Sequence, residues 1–367
     1  MKIALLGDIA LFGNNCLLQN PLLLDKLTEL KSILNEHDYV VANLEAPLTE
    51  CSKMNGSKSV YINSHSKNIE VLKYLGINSV SLANNHTYDF GSDGILDTKS
   101  LLESNCIDWF GIDGKLLKIN TPKQKVAIHG YCSYNTNPSY CSFNDLTNNS
   151  KGLNLLEYNI VYNKMMELDL DGYFNIISSH SGVENVSLPS IDDIAFARGL
   201  SASFNYVYHG HHPHVIQGIE KHNQSVIAYS QGNCIFDDIY DHRTGNILVE
   251  QSFVNSCSYI LSVNIIDNKI DSYSTIPFSF YKGRLIINCD GARKILEERS
   301  ELLNLSDAKN LSLRKNDINK ISHNWSSRRN LSWFLSRLRL STLFRLINNK
   351  VNSYLYMKKF KNLIGGK

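Results

Sequence analysis

The stretch HGHHPHVIQG, residues 209 to 218, places His209, His211, His212 and His214 within six positions. Imidazoles at this density suit metal ligation or proton transfer, because a neutral ring offers a nitrogen lone pair and titrates near neutral pH. Pro213 disfavours helix at His212 and predicts an extended segment. Residues two apart in an extended segment share a face, so His212 and His214 point together and His211 points away. His209 shares the face of His211, and both are expected in supporting roles.

Further residues of this kind close apolar, β-rich runs: Asp8 in LLGD, Glu45 in VVANLE, Asn84, Asn85 and His86 in VSLANNH, and His180 in IISSH. Singly, each has an ordinary explanation. An Asp or Asn after a strand is a turn or capping residue, and a histidine can be a hydrogen-bonded core residue. Glu45, before Ala46-Pro47, needs a partner if it is buried. Jointly, two carboxylates, a carboxamide and several imidazoles form an oxygen and nitrogen donor set suited to Mn²⁺, Fe²⁺ or Zn²⁺, and large enough for two ions. Two such ions about 3.5 to 4 Å apart clamp the attacking and leaving oxygens of a phosphoryl or acyl centre. If Asn85 ligates through its carboxamide oxygen, the adjacent His86 faces elsewhere and is placed to protonate a leaving group. Asp89 either orients His86 by accepting its other N–H or caps the helix that follows.

These residues need a scaffold that gathers strand ends. The expected strands are KIALLG (2 to 7), DYVVANL (38 to 44), INSVSLA (77 to 83), KVAIHGY (125 to 131), YFNIISS (173 to 179), NYVYHG (205 to 210) and SVIAYS (225 to 230). Helical spacing occurs over 66 to 76, 92 to 103 and 190 to 202, with Ser190 as an N-cap. Alternation of this kind predicts an α/β domain, in which ligands bind beyond the carboxyl ends of the strands. Residues 133 to 154, rich in Asn, Ser and Tyr, read as a long loop, and strand-like runs continue from 246 to about 290.

The composition, 43% hydrophobic and 20% charged over 367 residues, supports a globular domain of 1 to 290 with an appendage of 291 to 367. Apolar runs are too short to span a bilayer, and Asp8 breaks the apolar start, so a cytoplasmic protein is expected. The eight cysteines form no C-x-x-C pair and read as reduced thiols. After Asp317 the chain carries no acidic residue but many Arg and Lys. Its apolar residues from Leu331 to Leu355 have helical spacing. This basic tail either packs on the domain or a partner, or lies at an anionic membrane surface. Nothing in it has the form of a nucleic-acid-binding fold.

The motifs GD (7 to 8), ANLEAPLT (42 to 49), SLANNHTYDFG (81 to 91), HSGVE (180 to 184), GHHPHVIQGIE (210 to 220) and IAYSQGN (227 to 233) occur in order over about 240 residues. At these residues the chain resembles the bacterial capsule-synthesis family of CapA type, a branch of the calcineurin-like metallophosphoesterases associated with capsule and poly-γ-glutamate production. The resemblance implies a four-layered αββα sandwich with a C-terminal helical extension, and two divalent transition metal ions. It implies Asp8, Glu45, Asn85, His180, His212 and His214 as metal ligands and His86, oriented by Asp89, beside the leaving group. Asn84, Glu184 and Gln217 would line the substrate side. Ser181, Asn185, Gln231 and Cys234 depart from the family pattern, so the substrate-facing wall is expected to differ. The function implied is hydrolysis of a phosphoester or amide bond in a cell-envelope polymer or its precursor. The alternative is a non-catalytic polymer-binding or assembly factor of the capsule machinery that keeps the fold.

Overall fold

The computed structural model describes residues 1–55, 60–136, 143–144, 152–240, 245–327, 347 and 351. The first strand, Lys2–Ile9, shows how the layers arise. Its residues alternate between two cores, with Ile3 and Leu5 in one and Ala4 and Leu6 in the other, as the two-residue period of a strand buried on both faces requires.

This strand lies inside an eight-stranded sheet. Tyr39–Leu44, Ser79–Ser81 and Asp108–Phe110 follow it on one side in parallel. Cys257–Ile266, Lys269–Tyr281 and Arg284–Ile287 follow on the other in antiparallel, and Asn233–Ile235 joins the carboxyl end of the first strand. A six-stranded sheet runs in the order Ile219–His222, Ser225–Ala228, Tyr206–His211, Phe174–His180, Lys125–Cys132, Leu117–Asn120. Ile3, Leu5, Val41 and Leu261 of the first sheet meet Ile128, Ile176, Val207 and Val226 of the second, forming the central apolar layer.

Helices cover both outer faces. Leu30 and Leu34 of Thr28–Leu34, Leu72 of Ile69–Tyr74 and Leu102 of Gly91–Ser104 pack on the first sheet. Val161 and Met165 of Tyr158–Leu170, with Ala197 and Leu200 of Ile191–Ser201, pack on the second. The result is the four-layered αββα sandwich expected from the motifs. Ser190 caps its helix in a capping box with Asp193, which satisfies N–H groups that the first turn cannot bond internally.

The chain beyond residue 290 continues into this architecture. Helix Asp290–Glu301 buries Ala292 and Leu296 in the inter-sheet core, and Arg299 donates to the Ile216 carbonyl. Helix Asp307–Ser327 follows and buries Asn310 and Arg314. Helices Asp290–Glu301 and Asp307–Ser327 of the appendage therefore pack on the domain. Apart from Ile347 and Val351, the apolar set expected over 331 to 355 lies outside the described residues, as does most of the loop expected over 133 to 154. No helix of the described residues is long and apolar enough to cross a membrane.

Candidate metal centre

Both sheets end on one rim. Asp8 lies near the end of Lys2–Ile9, Glu45 just beyond Tyr39–Leu44, His180 at the end of Phe174–His180 and His211 at the end of Tyr206–His211. Two glycines let the backbones converge there. A Cβ on Gly7 would lie 2.0 Å from the Gly232 carbonyl oxygen, and one on Gly210 would lie 2.0 Å from that of Tyr229. Neither position admits a side chain.

Asp8, Glu45, His180 and His211 are all fully buried. Asp8 Oδ1 lies 3.8 Å from His211 Nδ1 and Asp8 Oδ2 lies 3.6 Å from His214 Nδ1. Glu45 Oε1 lies 3.5 Å from His214 Nε2 and 3.8 Å from His180 Nε2. His180 Nε2 is 2.8 Å from Asn85 Oδ1, and its Nδ1 is 2.8 Å from His211 Nδ1. Four overlapping groups could each surround an ion: Asp8, His180 and His211; Glu45, His180 and His212; Asp8, Glu45 and His214; Glu184, His212 and His214.

The residues fit a divalent metal in spacing and in protonation. Ligand atoms bound to one ion at about 2.0 to 2.2 Å stand roughly 3 Å or a little more apart, close to the separations found here. Burial, reinforced by neighbouring imidazoles, holds His180 and His211 well below the ordinary histidine range, so both rings are neutral and keep the lone pair that ligation needs. Burial also raises the Asp8 carboxyl, against the opposing pull of His214, Asn43 and the His212 N–H. A buried carboxylate beside the neutral His211 ring is stabilised by added positive charge, which a divalent cation supplies.

The structure corrects the expected extended geometry after Gly210. His212 has φ +103° and His214 φ +56°, so the chain kinks at both instead of running straight. Such conformations cost a non-glycine residue about 1 to 3 kcal/mol and persist where surrounding contacts impose them. At His212 the kink delivers its N–H to Asp8 Oδ2 at 3.2 Å. His211, expected to point away, turns Nδ1 towards Asp8 and His180 while Nε2 pairs with Ser178 Oγ at 2.8 Å. His209 supports the fold by donating from Nε2 to the Leu6 carbonyl at 2.7 Å.

Two asparagines outside the expected set orient the donors. Asn43 Nδ2 donates to Asp8 Oδ1 at 2.8 Å. Asn233 Oδ1 accepts from His214 Nδ1 at 2.9 Å, with its own amide fixed by Gln251 at 3.1 Å. A sequence signal existed for Asn43: it stands two residues before Glu45, on the same face of an otherwise apolar strand.

The remaining expected residues have distinct places. His86 Nδ1 donates to Asp89 Oδ2 at 2.7 Å, and the same oxygen accepts the Ile62 N–H at 3.0 Å. Asp89 does not cap the following helix, whose N-cap position is Phe90. Asn84 spends its amide inward, donating to the Leu44 carbonyl at 2.8 Å and accepting from the His86 N–H at 3.1 Å. Gln217 is buried and donates to the Val186 carbonyl at 2.9 Å. Glu184, half-buried, joins His212 and His214 in the fourth of the donor groups. Of the departures from the family pattern, Gln231 is not on a substrate wall: it is fully buried and bridges the Leu5 and Tyr259 carbonyls at 2.8 and 3.0 Å.

The family model described as bacterial capsule synthesis protein PGA_cap matches residues 2–238. The chain belongs to this family. Among curated relatives it is 26% identical over 229 residues to the PGA biosynthesis protein CapA of Bacillus subtilis (strain 168), covering 60% of this chain and 59% of that protein. It is 24% identical over 243 residues to the capsule biosynthesis protein CapA of Bacillus anthracis, covering 63% and 58%. The chain thus spans less than two thirds of the length of either relative. Among solved structures, a hypothetical protein from Thermus thermophilus aligns with TM-score 0.45 at 13% identity, covering 76% of this chain and 99% of that one. The sulfate thiohydrolase SoxB of Thermus thermophilus aligns with TM-score 0.40 at 10% identity, covering 81% and 46%. The family match spans every residue of the rim from Asp8 to Asn233, including both orienting asparagines.

Proposed function

We propose that this chain is a metal-dependent hydrolase of capsule or poly-γ-glutamate biosynthesis, acting on a phosphoester or amide bond of a cell-envelope polymer or its precursor. The observation that carries this reading is the convergence of Asp8, Glu45, His180, His211, His212, His214 and Glu184 into overlapping donor groups on one rim. Asp8, His180 and His211 would hold one divalent ion and Glu184, His212 and His214 a second, with Glu45 beside His214 and Asn85 beside His180. A bound ion supplies Lewis acidity towards a phosphoryl or carbonyl oxygen and lowers the pKa of water.

The protein's own residues do the rest. Asn43 and the His212 N–H hold both oxygens of Asp8 in place. Asn233 and Ser178 fix which nitrogens of His214 and His211 face the centre. Asp89 keeps the His86 proton on Nδ1 and leaves exchange with a leaving group to Nε2. Asn84 fixes the His86 backbone, so this acid is held on the rim and not on a loose loop.

Purified protein loaded with Mn²⁺ should hydrolyse a generic phosphodiester or a polyglutamyl substrate. Asp8→Ala should lose metal and activity together, and His86→Ala should retain metal while losing about 10²- to 10⁴-fold in rate. Wild-type protein that stays inert after Mn²⁺ loading would sink the hydrolase reading. If it also supports capsule production with His86→Ala, a non-catalytic assembly role takes its place.

A further inference from the structure

The loop from Ser181 to Pro189 follows His180 directly and carries Glu184, whose carboxylate lies within 4.8 Å of ring nitrogens of His212 and His214. Its first part is tied to the histidine segment. The Ser181 N–H donates to the His211 carbonyl at 3.1 Å and the Asn185 N–H to the Pro213 carbonyl at 2.8 Å. Its second part is held by a different element, the helix Asp307–Ser327.

Three consecutive loop residues meet three helix residues in reverse order. Asn310 Nδ2 donates to the Pro189 carbonyl at 3.3 Å, Arg314 Nη1 donates to the Leu188 carbonyl, and Asp317 Oδ2 accepts from the Ser187 N–H at 3.2 Å and from the Ser187 hydroxyl. Positions 310, 314 and 317 are spaced i, i+4, i+7, which is one face of a helix. Arg314 is buried and feels the carboxylates of Asp317 on its own helix and of Asp192 and Asp193 on helix Ile191–Ser201, so opposite charge anchors the stripe. A helix that only covered apolar surface would not match backbone donors and acceptors residue by residue.

We propose that Arg314 and Asp317 are positioning residues of the metal centre: they latch the backbone at Ser187 and Leu188 and so hold Glu184 against His212 and His214. The proposal rests on the metal-centre reading above and adds to it an element from beyond the family match, which ends at residue 238. The latch acts on the group containing Glu184. The group of Asp8, His180 and His211 sits at the ends of strands Lys2–Ile9, Phe174–His180 and Tyr206–His211 and not on the latched loop, so the two should respond differently.

The test is a calorimetric Mn²⁺ titration of the full chain with parallel amide exchange. Asp317→Ala and Ser187→Ala should weaken one site, the one that Glu184→Gln also weakens, about 10- to 100-fold, the range for removing a group that orients a ligand, and leave the other site unchanged. Asp317→Asn, which keeps an oxygen acceptor, should recover most of the loss. Glu184→Gln should show the same selective weakening, and adding Asp317→Ala to it should change nothing further. If Asp317→Ala fails to fold, Ser187→Ala carries the comparison. Loss at both sites together, or at neither, overturns the proposal. Wild-type protein that binds no Mn²⁺ overturns the metal-centre reading and the role of the latch with it. Faster amide exchange over 185–188 in metal-free Asp317→Ala would still show that the contact itself is real, and unchanged exchange would show that it is not.

Discussion

His211 and Asn233 show what decides a ligand set at the level of single side chains. The four histidines of HGHHPHVIQG were legible as a cluster, as were Asp8, Glu45 and His180 at strand ends. Their sorting by face was not legible, because it assumed an extended backbone. His211 still belongs to strand Tyr206–His211, where its register opposite His180 sets it beside that ring and Asp8, and the positive φ of His212 and His214 redirects the chain only after it. Accordingly His211→Ala should reduce bound metal as His180→Ala does, measured by elemental mass spectrometry on purified protein. Asn233→Ala should leave the ligand count intact but weaken metal affinity about 10- to 100-fold, because His214 loses the acceptor that orients its ring. Full metal retention in His211→Ala would restore the simpler assignment of His212 and His214 alone.

At the level of elements, the strands were the most legible feature. Apolar runs ending in a polar residue correspond to Lys2–Ile9, Tyr39–Leu44, Lys125–Cys132, Phe174–His180, Tyr206–His211 and Ser225–Ala228. Helix Tyr158–Leu170 and strand Lys269–Tyr281 carry weak patterns. The first presents only Val161, Met165 and Leu168 as buried residues, and the second is mostly exposed over its first half. The helix signal at Ser190 was clear because a capping box is local chemistry, readable without knowing what the helix packs on. Ser190→Ala should therefore cost about 1 kcal/mol in chemical denaturation and leave metal content unchanged. A loss of metal in that variant would mean that helix Ile191–Ser201 also fixes the loop carrying Glu184.

For the whole molecule, burial of neutral histidines sets the response to acid. His129 is 1% exposed, bonded to Tyr131 and Asn175 at 2.9 and 3.2 Å, and burial pushes its pKa down to about 3. Unfolded chain binds this proton below about pH 6.5 while the folded protein refuses it until about 3, so this contribution is full above 6.5 and is lost as pH falls through that window. Each such histidine contributes a slope of up to about 1.4 kcal/mol per pH unit, and His129→Asn should flatten the acid limb of a denaturation series relative to wild type. The parallel and antiparallel partners of Lys2–Ile9 add a consequence for biosynthesis. That strand is made long before these two partners, yet one of its edges is closed only by Cys257–Ile266, and its Asp8 end pairs with Asn233–Ile235. A growing chain on the ribosome can fold its early helices against the sheet, but it cannot complete the rim until Asn233 has emerged, so an ion held at the rim would be captured only after that point.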